Sequence, residues 1–410
     1  MQSAYRERHS TETALLRVHH DIALALDNNS CAALVMLDLS AAFDVIDHNI
    51  LHHRLEYSYG ITGSALTWIM SYLHDRYQNI IIGNTLSKDF KLNYGVPQGS
   101  VLGPKIYTMF AKPIGSLCRQ HGLSYHSYAD DTQVYLVFKP TTPWRDTADQ
   151  LEACLRDISA WMSANMLKLN QDKTELIVFR PKNRVNDHSV FTLDICGTII
   201  HDVSSVKNLG VHFDRALDMQ KQVGTTAKAC SAQIRAIGRI RPYITTEACK
   251  SLVCSLVTSR LDYGNALLYG INGSVLSRLQ RVQNMAARLV TRKRKYDHIT
   301  AILMSLHWLP VKFRIMFKIL LYVFKIMQGT APAYLSDVVS EYRPARCLRS
   351  EYAAQIRAPR IRTKTYGERR FDWVAATLWN GLPGCFLREH SEIAFRRLLK
   401  THFFRLAFND

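Results

Sequence analysis

Tyr128-Ala129-Asp130-Asp131 places two adjacent carboxylates between two strand-like runs, Ser124–Tyr128 and Thr132–Phe138. That pattern predicts a β-hairpin with acids at its tip. A third acid, Asp38, closes another apolar run, Ala32-Ala33-Leu34-Val35-Met36-Leu37. Strands that deliver carboxylates to one place build an oxygen-only site for hard cations such as Mg²⁺. Two such ions can clamp the attacking and leaving oxygens of a phosphoryl transfer. Side chains alternate faces along a strand, so only a tight turn lets both acids of the hairpin approach Asp38. Asp130 is expected to be the direct partner of Asp38, with their carboxyls within about 7 Å, and Asp131 the peripheral ligand. Taken alone, Tyr-Ala-Asp-Asp suits a solvated hairpin turn equally well.

A second segment bears on that choice. Gly95-Val96-Pro97-Gln98-Gly99-Ser100-Val101-Leu102-Gly103-Pro104 holds three glycines and two prolines in ten residues. Such a run fixes an unusual backbone ahead of a helix, and glycines let a backbone come close to a ligand. Gln98 offers both a donor and an acceptor. An elaborate turn at a helix start would use the same residues.

The elements that must position these groups follow from periodicity. Ser10–Asp27 is predicted as a helix capped by Ser10 or Thr11, with Ala14, Leu15, Val18, Ile22 and Leu26 on one face. Further helices are expected near Asn49–Tyr57, Ser64–Leu73, Leu102–Arg119 and Asp146–Leu167, the last burying Leu151, Leu155, Ile158 and Met162. Tyr77–Ile82 and Ser87–Tyr94 read as a hairpin around Gly83-Asn84. Glu175–Phe179, Phe191–Ile195 and Val206–Phe213 read as strands. After Asp214 strands give way to helices at Met219–Ile240, Thr246–Thr258, Val275–Arg294 and Val311–Met327. Segregated composition of this kind predicts an α+β domain followed by a helical one.

Charge is split along the chain. Residues 1–180 carry 16 Lys+Arg and 18 Asp+Glu, whereas residues 181–410 carry 36 and 16, a net of −2 against +20. An acidic catalytic part followed by a phosphate-binding part would have this footprint, as would a generally basic soluble protein. Glu341–Arg370 is the most basic stretch, with few long aliphatics, and is expected to be extended or loosely folded. Arg292-Lys293-Arg294-Lys295 suits a helix end touching phosphate, or a nuclear signal. His48, His52 and His53 read as surface or core residues rather than metal ligands. The nine cysteines contain no C-x-x-C pair, which argues against zinc and disulfide scaffolds and suits a reducing compartment. The N-terminus lacks an apolar signal region, and Lys312, Arg314, Lys318 and Lys325 interrupt the most apolar helix. An intracellular protein of nucleus or cytoplasm, without a membrane span, is therefore expected.

In order, Leu37-Asp38-Leu39-Ser40-Ala41-Ala42-Phe43-Asp44, Gly95–Pro104 and Tyr128–Asp131 resemble motifs A, B and C of reverse transcriptases, above all those of non-LTR, LINE-like retrotransposons. Leu169-Asn170-Gln171-Asp172-Lys173-Thr174-Glu175 resembles their motif D, and Val206-Lys207-Asn208-Leu209-Gly210-Val211 their primer-grip strand. Leu261-Asp262-Tyr263-Gly264-Asn265 and Leu306-His307-Trp308-Leu309-Pro310 resemble the tail of that polyprotein. The resemblance implies a right-hand polymerase: palm with partial fingers over residues 1–214, helical thumb over 215–340, and a basic C-terminal region over 341–410.

It also implies roles. Asp38, Asp130 and Asp131, with the carbonyl of Leu39, would hold two Mg²⁺ ions, Mn²⁺ being a substitute. Phe43 would wall the sugar against a 2′-hydroxyl. Gln98 and Gly99 would line the nucleotide and template pocket. Lys173 would approach the triphosphate and protonate the pyrophosphate. RNA template, DNA primer and deoxynucleoside triphosphates are the implied partners. The family's further fingers and its endonuclease are expected upstream of a stretch like Gln2-Ser3-Ala4-Tyr5-Arg6. The alternative function is a catalytically silent nucleic-acid-binding remnant.

Overall fold

The computed structural model describes residues 1–40, 42–181, 191–342 and 355–408. Helices and sheets are mixed, and the chain forms two compact units. One comprises Met1–Glu7, Ala32–Val178 and His188–Val203, and the other Arg8–Cys31, Phe179–Asp187 and Ser204–Asp410. The units do not follow chain order, because the first long helix joins the C-terminal part.

The first unit is built on a four-stranded sheet in the order Glu175–Phe179, Cys31–Leu37, Asp131–Phe138, Ser124–Tyr128. Cys31–Leu37 is buried along its whole length. This fits an inner strand with both faces covered, which reads as a continuous apolar run. Ser124–Tyr128 and Asp131–Phe138 pair antiparallel, with Tyr128 opposite Asp131. The connection is therefore the two residues Ala129-Asp130, and Asp131 opens the second strand rather than sitting in the turn.

The same unit holds helices His48–Tyr59, Gly63–Leu73 and Trp144–Ala164. Leu151, Leu155, Ile158 and Met162 are all buried, as their spacing requires. The expected single helix over Leu102–Arg119 is instead two, Gly103–Phe110 and Ile114–Gln120. Pro113 lacks the N–H a continuous helix would need and heads the second one. Arg76–Gln78 pairs with Phe90–Leu92, and Ile81–Ile82 with Thr85–Leu86 around Gly83-Asn84.

The second unit packs helix Thr11–Asp27 with Gln220–Ile240, Gly273–Thr291, Val311–Met327 and the C-terminal helices Phe371–Asn380 and Glu392–Phe408. Ser10 and Thr13 form a reciprocal capping box at the start of the first helix. Phe324 and Phe395 stack at 4.4 Å in the core. The expected strand Val206–Phe213 is a hairpin, Ser205–Asn208 against Val211–Asp214. Leu209 and Gly210 turn it, at φ 42° and 82°. Thr246–Thr258 ends as an α-helix at Val253 and continues as a π-turn over Cys254–Thr258.

The basic stretch also departs from expectation. Arg343, Arg346 and Arg349 lie outside the described residues. Arg369 and Arg370 are buried rather than loosely solvated. Arg370 Nη1 donates to the fully buried Asp27 carboxylate at 3.0 Å. Asp27 also accepts from the backbone N–H of Thr363 at 2.8 Å and from its hydroxyl at 2.9 Å. An uncompensated buried carboxylate would be costly, so these donors fasten 362–370 to the first helix. Among the described residues, no helix is long and apolar enough to cross a membrane.

Candidate active site

Every sequence-predicted site residue lies in the first unit. Asp38 follows the inner strand and precedes the short strand Leu39–Ser40, which pairs with Lys168–Leu169. Its carbonyl accepts from the Asn170 N–H at 2.9 Å. The Asn170 side chain donates to Asp38 Oδ2 at 3.3 Å. Lys173, on the short 3₁₀ turn Gln171–Lys173, sets its Nζ 3.5 Å from the same oxygen. The segment after the short strand thus encloses Asp38 from one side. The resemblance places Lys173 by a triphosphate, and here its ammonium pairs with Asp38. Leu39 is buried and its backbone is opposite Leu169.

Ala129 is at φ 57°, a left-handed conformation that costs an L-residue roughly 1–2 kcal/mol. It turns the chain between the paired Tyr128 and Asp131, with Asp130 as the second residue of the turn. The carboxyl of Asp131 is raised above the ordinary aspartate range by burial, then by the charge of Asp130, then by that of Asp38. Although Asp131 is exposed overall, its carboxyl is thus partly withdrawn from water beside two other acids. Tyr107, buried in helix Gly103–Phe110, is raised by burial and by Asp130 and Asp131. Asp131 thus senses both Asp130 and Asp38, and Tyr107 senses the two hairpin acids.

The glycine-rich segment is fastened beside this group. The Val96 N–H donates to the Phe43 carbonyl, and the Gly95 N–H to the Ile46 carbonyl, both at 2.8 Å. Gly95 sits at φ 86°, and a Cβ there would lie 2.7 Å from the Asp44 carbonyl oxygen. His48 Nε2 meets the Gly95 carbonyl at 2.8 Å, so this histidine braces the loop. Gln98 Nε2 donates to Asp44 Oδ1 at 2.9 Å. Gly99, at φ 78°, faces open space. The Phe43 ring lies 4.8 Å from Tyr107, tilted by 31°. Phe43 and the hairpin acids therefore share one buried tyrosine.

Tyr107 and Asn170 are the site residues that sequence reasoning passed over. Asn170 sits inside the motif-D-like segment, immediately after the paired strand Lys168–Leu169, where a polar side chain beside Asp38 could have been sought. Tyr107 looks like an ordinary core residue of its helix, and only the fold brings it to the acids.

The donor chemistry of the acids suits a hard divalent cation: all oxygen, mutually repelling, and partly dehydrated at Asp131. Among the described residues, however, no three acidic, histidine or cysteine side chains are gathered closely enough to hold an ion. The acids share a field without forming a closed coordination shell.

The model of the family described as reverse transcriptase (RNA-dependent DNA polymerase) matches residues 1–213. The probable RNA-directed DNA polymerase from transposon BS of Drosophila melanogaster is 27% identical over 299 residues, covering 71% of this chain and 32% of the relative. The RNA-directed DNA polymerase from mobile element jockey of the same organism is 24% identical over 300 residues, covering 71% and 31%. The chain thus spans about a third of the length of these curated relatives. Among solved structures, apo telomerase from Candida tropicalis is similar at a TM-score of 0.39 and 10% identity, over 76% of this chain and 51% of that one. With its model running through the loop, the hairpin and every acid of the site, the reverse transcriptase (RNA-dependent DNA polymerase) family is the one to which this chain belongs.

Proposed function

We propose that this chain is the polymerase region of a non-LTR retrotransposon, copying an RNA template by adding deoxynucleotides to a DNA primer 3′-hydroxyl. The observation that carries this reading is the match of the reverse transcriptase family model to residues 1–213, a span that holds Asp38, Asp130 and Asp131. Asp131, its carboxyl raised by burial first and then by the charges of Asp130 and Asp38, sits where a bound cation would relieve the repulsion. The sheet of the first unit is read as the palm, and the helices after Asp214 as the thumb.

Asp38, Asp130, Asp131 and the Leu39 carbonyl would hold Mg²⁺, two ions in this reading, and Mn²⁺ suits the same oxygens. When bound, the metal would supply charge neutralisation at the phosphate and activation of the primer hydroxyl. The remaining work falls to the chain. Phe43, held against Tyr107, forms the wall under the sugar. Gln98 and Gly99, both exposed, line the approach of nucleotide and template. Lys173, whose side chain is 69% exposed, reaches the triphosphate and delivers a proton to the departing pyrophosphate oxygen. Positioning and charge neutralisation dominate phosphoryl transfer, so few groups need to react.

One observation favours the alternative of silent nucleic-acid binding: the Lys173–Asp38 pair at 3.5 Å, which satisfies the acid without an ion. Primer extension on an RNA template with Mg²⁺ and deoxynucleotides separates the two. Extension is expected, with a loss of about 10³-fold in Asp130→Asn, since several kcal/mol of charge stabilisation depend on the metal-holding acids. Extension absent from the unaltered chain, with RNA binding intact, would establish the silent reading.

A further inference from the structure

The turn that carries Asp130 is gripped from outside the hairpin. The Ala129 N–H donates to Gln2 Oε1 at 3.0 Å, and Gln2 Nε2 donates to the Ala129 carbonyl at 3.2 Å. One carboxamide thus satisfies both backbone groups of the residue at φ 57°. Its orientation is fixed, because the Ala4 N–H also donates to Oε1, at 2.9 Å. Two N–H donors converge on the oxygen, which leaves the nitrogen for the carbonyl.

The backbone brings Gln2 there. Gln2 bridges Ser127 in parallel, adding to the outer edge of the hairpin. The Ser127 N–H donates to the Met1 carbonyl at 2.7 Å, and the Ser3 N–H to the Ser127 carbonyl at 3.0 Å. The Ser3 hydroxyl and His126 Nε2, both buried, lie 2.7 Å apart.

We infer that Gln2 is a positioning residue of the active site, clamping the strained Ala129 so that Asp130 is held toward Asp38. The inference rests on the polymerase reading for its consequence, though not for its geometry. Rotation about Ala129 swings the Asp130 carboxylate, and a left-handed alanine returns readily to commoner conformations unless both its polar groups are held. No other residue type does this as well. Glutamate keeps the acceptor but turns an oxygen toward the Ala129 carbonyl. Asparagine is one methylene shorter, and leucine fills the space without hydrogen bonds.

The test compares the full chain with Gln2→Leu and Gln2→Asn. Hydrogen exchange at residues 125–133 reads the clamp, and calorimetric Mg²⁺ titration reads the acids. Losing the pair of hydrogen bonds should speed Ala129 exchange by roughly tenfold, with protection elsewhere unchanged. Weakened support of a metal-holding group should loosen Mg²⁺ by about tenfold. Primer extension should fall in kcat with the nucleotide KM unchanged, the signature of a misaligned acid rather than a damaged pocket. Unchanged exchange in both variants would overturn the clamp, as would faster exchange with unaltered Mg²⁺ affinity, which would leave Gln2 a purely structural bond. Should Gln2→Leu lose protection throughout the chain, Gln2→Asn, neutral and one methylene too short to reach both groups, decides on the same two readouts. A chain that extends no primer removes the polymerase reading, while exchange and Mg²⁺ affinity still decide the clamp.

Discussion

At the scale of single residues, the hairpin acids trade stability for charge. The folded-state pKa of Asp131 is raised, so the folded protein binds its proton more tightly than the unfolded chain does. Stability therefore falls as pH rises from the ordinary aspartate value through the raised one, and the penalty is complete above it. Asp131→Asn should then melt slightly higher than the unaltered chain at pH 7 without metal, by about a degree or two given the residue's exposure. The advantage should vanish below the ordinary aspartate pKa. Mg²⁺ should raise the melting temperature of the unaltered chain more than that of the variant. A variant that melts lower across the whole pH range would mean that its neighbours do not repel it.

Phe43 is the second residue whose role can be measured. Its contact with Tyr107 holds the ring rigid, as a steric wall must be. Phe43→Val should relax the preference for deoxynucleotides over ribonucleotides by roughly ten- to a hundredfold, the range available to pocket contacts of this size. Competitive incorporation on one template measures it, and an unaltered preference would leave Phe43 an ordinary half-buried side chain. Asp38, Asp130 and Asp131 are legible in the sequence because each stands at the end of an apolar run. Tyr107 is not, since its importance lies in neighbours more than twenty positions along the chain. Gln2 is equally hidden: a glutamine in a polar segment carries no signal until its partner Ala129 is known.

At the scale of elements, what the sequence reveals depends on how local the cause is. Val311–Met327 is a helix to the residue because its apolar period and its Pro310 and Gly329 flanks are local. The break between Phe110 and Ile114 was also local, with Pro113 as the visible signal. The turn at Leu209-Gly210 was harder, because leucine rarely adopts φ 42° and the alternating pattern runs through it. Burial of Arg369 and Arg370 could not be read at all, since Arg370 pairs with Asp27, 343 residues away.

The glycine-rich segment offers a direct test of element-level positioning. Gly95→Ala meets two penalties, a left-handed φ and a carbonyl oxygen 2.7 Å from the new Cβ. A loss of about 2–4 kcal/mol in urea unfolding is expected, together with impaired extension as Phe43 and Val96 part. Gly99→Ala meets only the first penalty, because its space is open. It should cost roughly 1–2 kcal/mol. Equal costs at the two positions would mean that the close approach to Asp44 does not matter.

At the scale of the whole molecule, the charge split remains the broadest feature, and the fold decides which cations can use it. Of the nine basic residues between Glu341 and Arg370, Arg369 and Arg370 are committed to internal partners, while Arg357, Arg360, Arg362 and Lys364 are exposed. Lys293, Arg294 and Lys295 are exposed as well, after helix Gly273–Thr291. Truncating the chain near residue 214 would be a poor test, since residues 8–31 belong to the same compact unit as 204–410. Charge neutralisation in the full chain is cleaner. Phosphate contacts release counterions, so log affinity for single-stranded RNA should fall linearly with log salt, by about 0.7 per contact. Replacing Lys293, Lys295, Arg362 and Lys364 by glutamine should lower that slope by up to about 3, while Asp38→Asn with Asp130→Asn leaves it unaltered. Binding should weaken almost uniformly across RNA sequences, because phosphate contacts carry no sequence information. A slope unmoved by the fourfold replacement would show that these exposed cations do not touch the backbone, and that the positive excess of the second unit serves something other than nucleic acid.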